Sequence, residues 1–486
     1  MASDQRVELR MAIQWALLTP ILIQLFGFVR TMLLARYLGP SEYGHIAIAT
    51  LAVSTLTAVT QIGTRFYLIQ ASTLTEDIID SAWSLEALKG TVLAIGMYGF
   101  SPFIGDWLHA PYAQSAIQIA ALTLGIGSCV SLQQIKADKE LNLAQSAKLN
   151  LFNAVLDFGV CIAGLMVGCN AQQILEILLS AQVIKTIYSH VQVRKMPRLH
   201  VKQALLKPLI RFGGWIMLST ILSFLATQLD QFLVAKVLGG KQLAGYQIAG
   251  LLASIPMISL STPISAVIFP TLCRLQNEAA IFKRTVAISL TSMMVLGVAM
   301  LIAAPFAIPL VFRSALSEQW MFATSAAITL FAAQICRPPL SVLESAWLAL
   351  GLARRGLWIQ LIRAAAVIAC VPWYQSALSL LDIARVTLMA GLIAIALCMI
   401  MAFRTGIVAR TEFGLQWLAT HILPTALCLS LTLTLAPEAH SIATQSLCMI
   451  LAPLAYLAMT WGMAHATKDH ITLQIIRGIR LPIRTR

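Results

Sequence analysis

Charged residues are scarce in this chain of 486 residues. Asp, Glu, Lys and Arg together make up 11% of the sequence, whereas they supply about a quarter of a typical soluble protein. Hydrophobic residues supply 58%, and the mean hydropathy is +0.80. Long polar stretches are also missing, so no segment is left over for a sizeable soluble domain. The composition therefore excludes a soluble protein and predicts a chain that lies in the lipid bilayer.

Signatures of chemistry are missing as well. The nine cysteines are scattered without a Cys-x-x-Cys pair, and the eight histidines are isolated, so neither a disulfide framework nor a metal site is predicted. No Gly-x-x-x-x-Gly-Lys-[Ser/Thr] phosphate loop occurs. The predicted external loops are too short for the catalytic carboxylates and basic residues of a membrane glycosyltransferase or polymerase. The sequence therefore argues against an ATPase and against an enzyme, and it predicts no cofactor.

Apolar segments of about twenty residues recur from one end of the chain to the other. Each is long enough to cross a hydrocarbon core of ~30 Å as a helix whose backbone hydrogen bonds are all internal. The predicted spans cover residues 12–36, 44–70, 83–105, 117–136, 148–169, 173–193, 212–236, 246–272, 286–312, 320–348, 357–376, 382–403, 417–436 and 442–465. The sequence thus predicts an all-α integral membrane protein with about 14 transmembrane helices.

The positive charge is distributed unevenly between the loops. With a cytoplasmic N-terminus, 23 Lys and Arg residues fall on the cytoplasmic side and only Arg36, Lys236, Lys241 and Arg313 on the other. The positive-inside rule therefore places both termini in the cytoplasm. The net charge of +14 is assigned to topology and to contact with anionic lipid head groups, and no nucleic-acid partner is predicted. The acidic loop at 71–82 departs from this pattern.

A repeat divides the chain. Residues 28–44 are echoed by residues 229–245, and both copies run an apolar helix into Ala-[Arg/Lys]-x-Leu-Gly. Since six spans separate the copies, the halves enter the membrane from the same side and form parallel bundles. The predicted domains are a six-helix bundle at 1–193, a basic cytoplasmic linker at 194–211, a second six-helix bundle at 212–403, and two additional helices with a basic amphipathic tail at 404–486.

Twelve charged residues lie inside or at the edge of the spans. They are Arg30, Arg65, Glu86, Lys89, Asp157, Glu176, Lys185, Asp230, Arg337, Glu344, Arg363 and Arg385. A charge at the bilayer centre is unfavourable by at least ~2.5 kcal/mol, so such residues face a partner or an aqueous cavity. Glu86 with Lys89, and Asp382 with Arg385, are predicted to be local pairs near helix ends.

Polar residues within several spans share one helical face. Residues 50, 54, 57, 61 and 65 form such a stripe, as do 150, 153 and 157, and 219, 223, 227 and 230. Hydroxyl groups alone are more typical of helix packing in membranes than of a cavity lining. The charged residue that ends each stripe keeps the cavity interpretation open. Arg337 and Glu344 could simply neutralise each other beside the break predicted at Arg337-Pro338-Pro339.

The motif at 30–44, the end of the next span at 61–69 and the echo at 230–239 resemble the polysaccharide transporter, or oligosaccharide flippase, family of the multidrug/oligosaccharidyl-lipid/polysaccharide (MOP) exporter superfamily. The resemblance implies a bacterial inner-membrane protein with a V-shaped cavity between two bundles. It also implies alternating access coupled to H+ or Na+. The implied cargo is a sugar unit on undecaprenyl pyrophosphate, and the partners are this substrate, membrane lipids and a polysaccharide polymerase or assembly proteins.

The candidate site residues follow from the chemistry of a pyrophosphate, which needs cationic donors. Arg65 and Arg363, then Arg30 and Arg337, are the candidate cavity cations. Asp230, Asp157 and Glu344 are the candidate coupling or gating acids, and Asp230 is matched with Arg30 by the repeat as a candidate ion pair between the halves. Two alternatives stay open, namely a cation-coupled multidrug exporter that uses the three acids and a flippase for peptidoglycan lipid precursors.

Overall fold

The computed structural model of the chain is almost entirely helical, as the sequence predicts. It describes residues 2–60, 64, 68, 74–139, 143–193, 197–199, 203–352, 354–370, 378–408, 415–436, 441–467, 469, 471–472 and 475. The helices are α1 (Ala2–Thr60), α2 (Glu76–Gly99), α3 (Ser101–Trp107), α4 (Gln114–Ser128), α5 (Gln134–Lys139), α6 (Leu143–Val167), α7 (Ala171–Val193), α8 (Gln203–Leu238), α9 (Gly240–Leu275), α10 (Ala279–Ser314), α11 (Thr324–Gln334), α12 (Arg337–Ala349), α13 (Arg354–Cys370), α14 (Leu380–Arg404), α15 (Leu415–Leu435) and α16 (Ile442–Thr467). Short 3-10 turns cover Pro111–Ala113 and Glu318–Ala323.

Every predicted span overlaps at least one of these helices. In the described part of the chain, seven helical segments are long and apolar enough to cross a membrane, or eight if α2 and α3, bent by 62°, form one broken span. The protein is therefore a multi-pass membrane protein, while the count of fourteen spans stays a prediction. The break predicted at Arg337 is confirmed, because α11 ends at Gln334 and α12 begins with Pro338 and Pro339 in its first turn.

The two copies of the repeat end their helices in the same way. Gly39 interrupts α1 with φ 70° and ψ 174°, and Gly239 separates α8 from α9 with φ 80°. This left-handed region is accessible to glycine and unfavourable for residues with a Cβ atom. The glycine of Ala-[Arg/Lys]-x-Leu-Gly therefore redirects the chain in both copies, which confirms the prediction of a helix end at this motif.

The described residues form two compact units. Unit 1 comprises Met1–Leu225 and Gln231–Ala244, and unit 2 comprises Ala226–Asp230 and Gly245–Arg486. In unit 1, α1 packs on α6, α2 packs on α4, and α7 packs on both α4 and α6. In unit 2, α10 packs on α16, and α14 packs on α11 and α13. These units group residues by mutual contact and do not decide where each six-helix bundle ends, so the predicted domain boundaries stay a prediction.

The acidic loop that departs from the charge pattern has a cationic partner. Glu76, at the start of α2, forms an ion pair with Lys136 of α5 and accepts a hydrogen bond from the Gln133 side-chain amide at 2.8 Å. Both segments belong to the side that the loop charges predict to be cytoplasmic. The contact agrees with the predicted alternation of the helices. The orientation of the termini stays a prediction.

The two predicted local charge pairs are formed, although only the pair of Asp382 and Arg385 lies at a helix end. Glu86 and Lys89, three residues apart on α2, make an ion pair. Ser379 and Asp382 form a reciprocal capping box at the start of α14, and Arg385 contacts the Asp382 carboxylate at 3.1 Å. Asp382 and Arg385 therefore have a local role at the start of their helix, whereas Glu86 also accepts a hydrogen bond from the Thr64 hydroxyl outside α2.

The outer faces of the helices are apolar. Ile95 on α2, Phe103 on α3 and Leu392 on α14 each expose more than half of their surface. In unit 2 the buried core gathers around Trp347 and Phe282, which are almost completely covered. Because both the outer faces and the core are apolar, polar side chains that cluster inside a unit are candidates for a functional site.

Candidate functional site

An ionic cluster lies within the membrane-spanning part of unit 1, and its centre is Asp157 of α6. The Lys185 ammonium on α7 donates to both carboxylate oxygens of Asp157, at 2.9 and 3.1 Å. The guanidinium Nη1 of Arg30 on α1 lies 3.6 Å from the same carboxylate. The cluster combines two cations with one anion, so it carries one excess positive charge.

The side chains of Arg30, Asp157 and Lys185 are partly exposed. Their exposed fractions are 31% for Arg30, 20% for Asp157 and 14% for Lys185. The Nε atom of Arg30 is buried and has no hydrogen-bond partner, and the same holds for the Oδ1 atom of the neighbouring Asn153. A guanidinium has five N–H donors in a planar fork, and an ion pair to one carboxylate leaves some of them for a further anion. The cluster can therefore hold an anionic group as well as Asp157.

Helical spacing explains why this cluster forms. Asn153 and Asp157 are four residues apart and share one face of α6. Because α6 packs against both α1 and α7, Asp157 meets a cation from each neighbour. Sequence reasoning chose Arg30 and Asp157 but left out Lys185. The sequence does contain a signal for Lys185, because this residue lies inside a predicted span, where a charged side chain needs an ionic partner or an aqueous cavity.

Asp230 has a different environment in unit 2. Its Oδ2 atom accepts hydrogen bonds from the Tyr246 hydroxyl at 2.7 Å and from the Thr387 hydroxyl at 3.2 Å. The two hydroxyls also lie 3.1 Å apart. Asp230 on α8 thereby connects α9 and α14. Since Arg30 and Asp230 belong to different units, the ion pair predicted between the halves stays a prediction.

The remaining candidate residues are Arg65, Arg363, Arg337 and Glu344. Arg65 lies outside the described residues, and so does the side chain of Arg363, which belongs to α13. Arg337 and Glu344 both lie on α12 and are partly buried. Their roles stay predictions. In the described residues, no group of three or more His, Cys, Asp or Glu side chains could hold a metal ion.

The hydroxyl stripe of the second predicted span bonds within its own helix. Thr50 donates to the carbonyl of Ile46, and Ser54 donates to the carbonyl of Leu51 at 3.0 Å. Hydroxyl groups satisfied in this way need no aqueous cavity. The packing interpretation therefore accounts for these two residues, while the end of the stripe at 61 and 65 lies outside the described part of the chain.

Sequence reasoning missed a contact between the two repeat motifs inside unit 1, which we call the interrepeat contact (residues 44, 109, 112, 236 and 240). The Gly240 amide donates to the Tyr112 hydroxyl oxygen at 3.1 Å, and the His109 ring donates to the Lys236 carbonyl at 2.7 Å. A Cβ atom on Gly44 would lie 2.9 Å from the carbonyl carbon of Gly240. The glycines of the two motifs therefore bring the backbones into direct contact.

Comparison with known proteins identifies the family of this chain. The model of the polysaccharide biosynthesis protein family matches residues 33–325, which is more than half of the chain and includes most of the first repeat motif and all of the second. The chain belongs to this family. The family resemblance read from the motifs at 30–44 and 230–239 is thus confirmed.

Among curated relatives, the chain is 23% identical over 269 residues to the lipopolysaccharide biosynthesis protein WzxC of Escherichia coli K12, and this match covers 54% of each chain. It is 24% identical over 254 residues to the succinoglycan biosynthesis transport protein ExoT of Rhizobium meliloti, with coverage of 52% of this chain and 51% of ExoT. The chain therefore spans about half the length of the curated relatives it matches.

Two solved structures share the fold. The lipid II flippase MurJ, in an inward closed conformation, superposes with a TM-score of 0.72 over 94% of this chain and all of MurJ, at 12% identity. An inward-facing multidrug resistance MATE transporter of the MOP superfamily superposes with a TM-score of 0.62 over 79% of this chain and 94% of that transporter, at 13% identity. At such low identity the likeness shows a MOP-like fold alone.

Proposed function

We propose that the protein is a secondary transporter, and not an enzyme, that moves a lipid-linked oligosaccharide across the bacterial inner membrane. The substrate would be a sugar unit on undecaprenyl pyrophosphate, carried from the cytoplasmic to the periplasmic leaflet. The observation that carries this proposal is the intramembrane cluster of Arg30, Lys185 and Asp157, with its excess positive charge, in a chain of the polysaccharide biosynthesis family. A doubly charged anionic head group is a ligand that such a cluster can attract.

The cluster suggests how the head group is held and released. The pyrophosphate would take up the free donors of Arg30, while Lys185 keeps the Asp157 charge neutralised. Burial from bulk water strengthens each of these contacts. The sugars would occupy a polar cavity between two parallel six-helix bundles, and the lipid tail would stay in the bilayer. Rocking of the bundles, with both termini in the cytoplasm, would re-expose the head group on the far side.

Transport against a gradient needs a coupling ion, and we assign this role to Asp230. Its Oδ2 atom accepts hydrogen bonds from the Tyr246 and Thr387 hydroxyls, which belong to two neighbouring helices. Binding of a proton or Na+ at this carboxylate is the proposed coupling step. Such binding would change the hydrogen bonds that connect α8 with α9 and α14, which is the differential interaction that a change of state requires.

Substitution of Asp230 separates charge from hydrogen bonding. We expect Asp230→Asn to fold, since an amide oxygen still accepts from Tyr246 and Thr387, and to lose the dependence of export on the ion gradient. Export should be measured in cells with and without an uncoupler or Na+. Glu176→Gln on α7 is the matched control, because its exposed carboxylate accepts only a local bond from Gln172. Gradient-dependent export by Asp230→Asn, at the wild-type level, would rule out this role.

A deletion strain tests the proposed substrate class. We expect loss of one surface polysaccharide, accumulation of its lipid-linked precursor inside the cell, and unchanged susceptibility to cationic drugs. Restoration by a plasmid copy is the control. Drug hypersensitivity with normal surface polysaccharide would instead identify a multidrug exporter. Loss of viability that plasmid expression rescues, with peptidoglycan precursors accumulating, would identify a flippase of peptidoglycan lipid precursors.

A further inference from the structure

Unit 1 contains an apolar cavity that shares no lining residue with the ionic cluster. It has a volume of about 500 Å³ and lies between the second half of α1, the C-terminal half of α2, α3 and the end of α8. Val92, Phe100 and Trp107 line it and are 59%, 67% and 45% exposed, so the cavity opens on the outside of the unit. This volume is in the range of small-ligand sites.

The lining of the cavity provides very few hydrogen-bonding groups for a polar ligand. Among the described residues that line the cavity, the side-chain polar groups are the Trp107 indole N–H and the hydroxyl of Thr55, and this hydroxyl donates to the Leu51 carbonyl at 2.6 Å. An apolar lining of this kind favours a hydrocarbon chain over ordered water, which needs polar partners. A saccharide or a phosphate inside it would lose hydrogen bonds to water without replacement.

The rim has a different character. Phe232 and Lys236 lie four residues apart, on one face of α8, and the Trp107 ring contacts both. The centroids of the Trp107 and Phe232 rings are 6.4 Å apart, and the Lys236 ammonium lies 4.8 Å from the Trp107 ring centroid. Lys236 is exposed, and a paired tryptophan and lysine is typical of the boundary between hydrocarbon and head groups. An apolar cavity with a cation at its mouth is complementary to an anionic amphiphile.

We propose that this cavity binds one acyl chain of an anionic phospholipid, whose phosphate contacts Lys236. Two features of the cavity favour this ligand. Its volume accommodates a single hydrocarbon chain, and Lys236 at its rim supplies a positive charge for the phosphate. The bound lipid lies beside the interrepeat contact, because Lys236 takes part in both, with its side chain at the cavity and its carbonyl at His109. The lipid therefore stabilises the arrangement in which the repeat motifs meet.

Two substitutions test the two parts of the site. Gly96 lines the cavity, and a Cβ atom there meets no atom within 4 Å, so Gly96→Leu fills the cavity without a backbone clash. Gly99→Leu is its matched control, because Gly99 lies on the same helix with equally open space and does not line the cavity. Lys236→Gln removes the rim charge, and Arg313→Gln removes another exposed cation on the side predicted to be external.

The measurement is native mass spectrometry of the purified full chain, titrated with phosphatidylglycerol or phosphatidylcholine of identical chains. Wild type should retain phosphatidylglycerol preferentially. We expect Gly96→Leu to weaken retention about tenfold, as the loss of roughly two buried methylene groups would, and Lys236→Gln to abolish the preference between head groups. Both control variants should match wild type, and a thermal melt checks that every variant is folded.

Three results would overturn the proposal. They are full retention by Gly96→Leu, an undiminished head-group preference in Lys236→Gln, and displacement of bound phosphatidylglycerol by equimolar polyprenyl phosphate, which would identify an isoprenoid as the occupant. The first two results do not bear on the cargo, because the site and its assay are independent of transport, whereas the third would make the cavity a candidate site for the polyprenyl tail of the cargo.

Discussion

Arg30→Gln should abolish export of the surface polysaccharide while leaving the protein in the membrane at its normal level. Arg30 supplies the donors that are free to bind a pyrophosphate, and glutamine cannot supply a charge. Removal of one partner from a desolvated, charged contact typically weakens binding by about 2–5 kcal/mol, which is ~30-fold or more. Export would be measured as surface polysaccharide per cell, with the variant protein quantified by immunoblot.

The design guards against a merely structural effect. Asp157 keeps its two contacts with Lys185 when Arg30 is replaced, so the carboxylate is not left without a partner. Lys89→Gln is the matched control, because Lys89 is also an intramembrane cation of unit 1 and pairs locally with Glu86. We expect Lys89→Gln to export normally. Equal export by Arg30→Gln and wild type would remove Arg30 from the substrate site.

Gly44→Ala should destabilise unit 1 and reduce export, although it adds a single methyl group. That methyl group would lie 2.9 Å from the carbonyl carbon of Gly240 and 3.1 Å from the Lys241 nitrogen, both of which are backbone atoms. Backbone moves less readily than a side chain, so the interrepeat contact must open. Overpacking of this kind is typically unfavourable by about 1–3 kcal/mol. The readouts are the thermal melt of the purified protein and export in cells.

Gly27→Ala is the control for this prediction. Gly27 lies on the same helix, and a Cβ atom there meets nothing within 4 Å. Alanine is the better helix former by up to ~1 kcal/mol, so Gly27→Ala should match wild type or exceed it in stability. If both variants melt at the same temperature as wild type, the close approach of Gly44 and Gly240 does not contribute to the stability of unit 1.

Features that depend on local sequence could be predicted. The duplicated motif predicted helix ends at Gly39 and Gly239, and the positive φ of both residues supplies the reason. The proline pair after Arg337 predicted a broken helix, and the acid at 382 predicted a helix start. Each of these follows from backbone conformation or from contacts within four residues, which the sequence determines directly.

Partners across helices could not be predicted in the same way. Spacing placed Asp157 on a polar face of α6, but the sequence does not say which helices pack against that face. The repeat matched Arg30 with Asp230, and this pair stays a prediction. Nothing in the sequence indicated that Arg30 contacts the Asp157 carboxylate, or that Asp230 accepts hydrogen bonds from two hydroxyls of its own unit. The segment at 107–112, which supplies Tyr112 and His109 to the interrepeat contact, carries no long-range periodicity that reveals its partner.

We expect the protein itself to move a lipid-linked sugar across a membrane. The direct measurement uses purified protein in liposomes that contain a fluorescently labelled oligosaccharide on polyprenyl pyrophosphate, with an impermeant lectin added outside. Wild type should make most of the inner-leaflet sugar accessible when an ion gradient is applied, and Arg30→Gln should leave it protected like protein-free liposomes. Continued protection with wild type, in liposomes where the protein is folded and both leaflets hold substrate, would contradict the account.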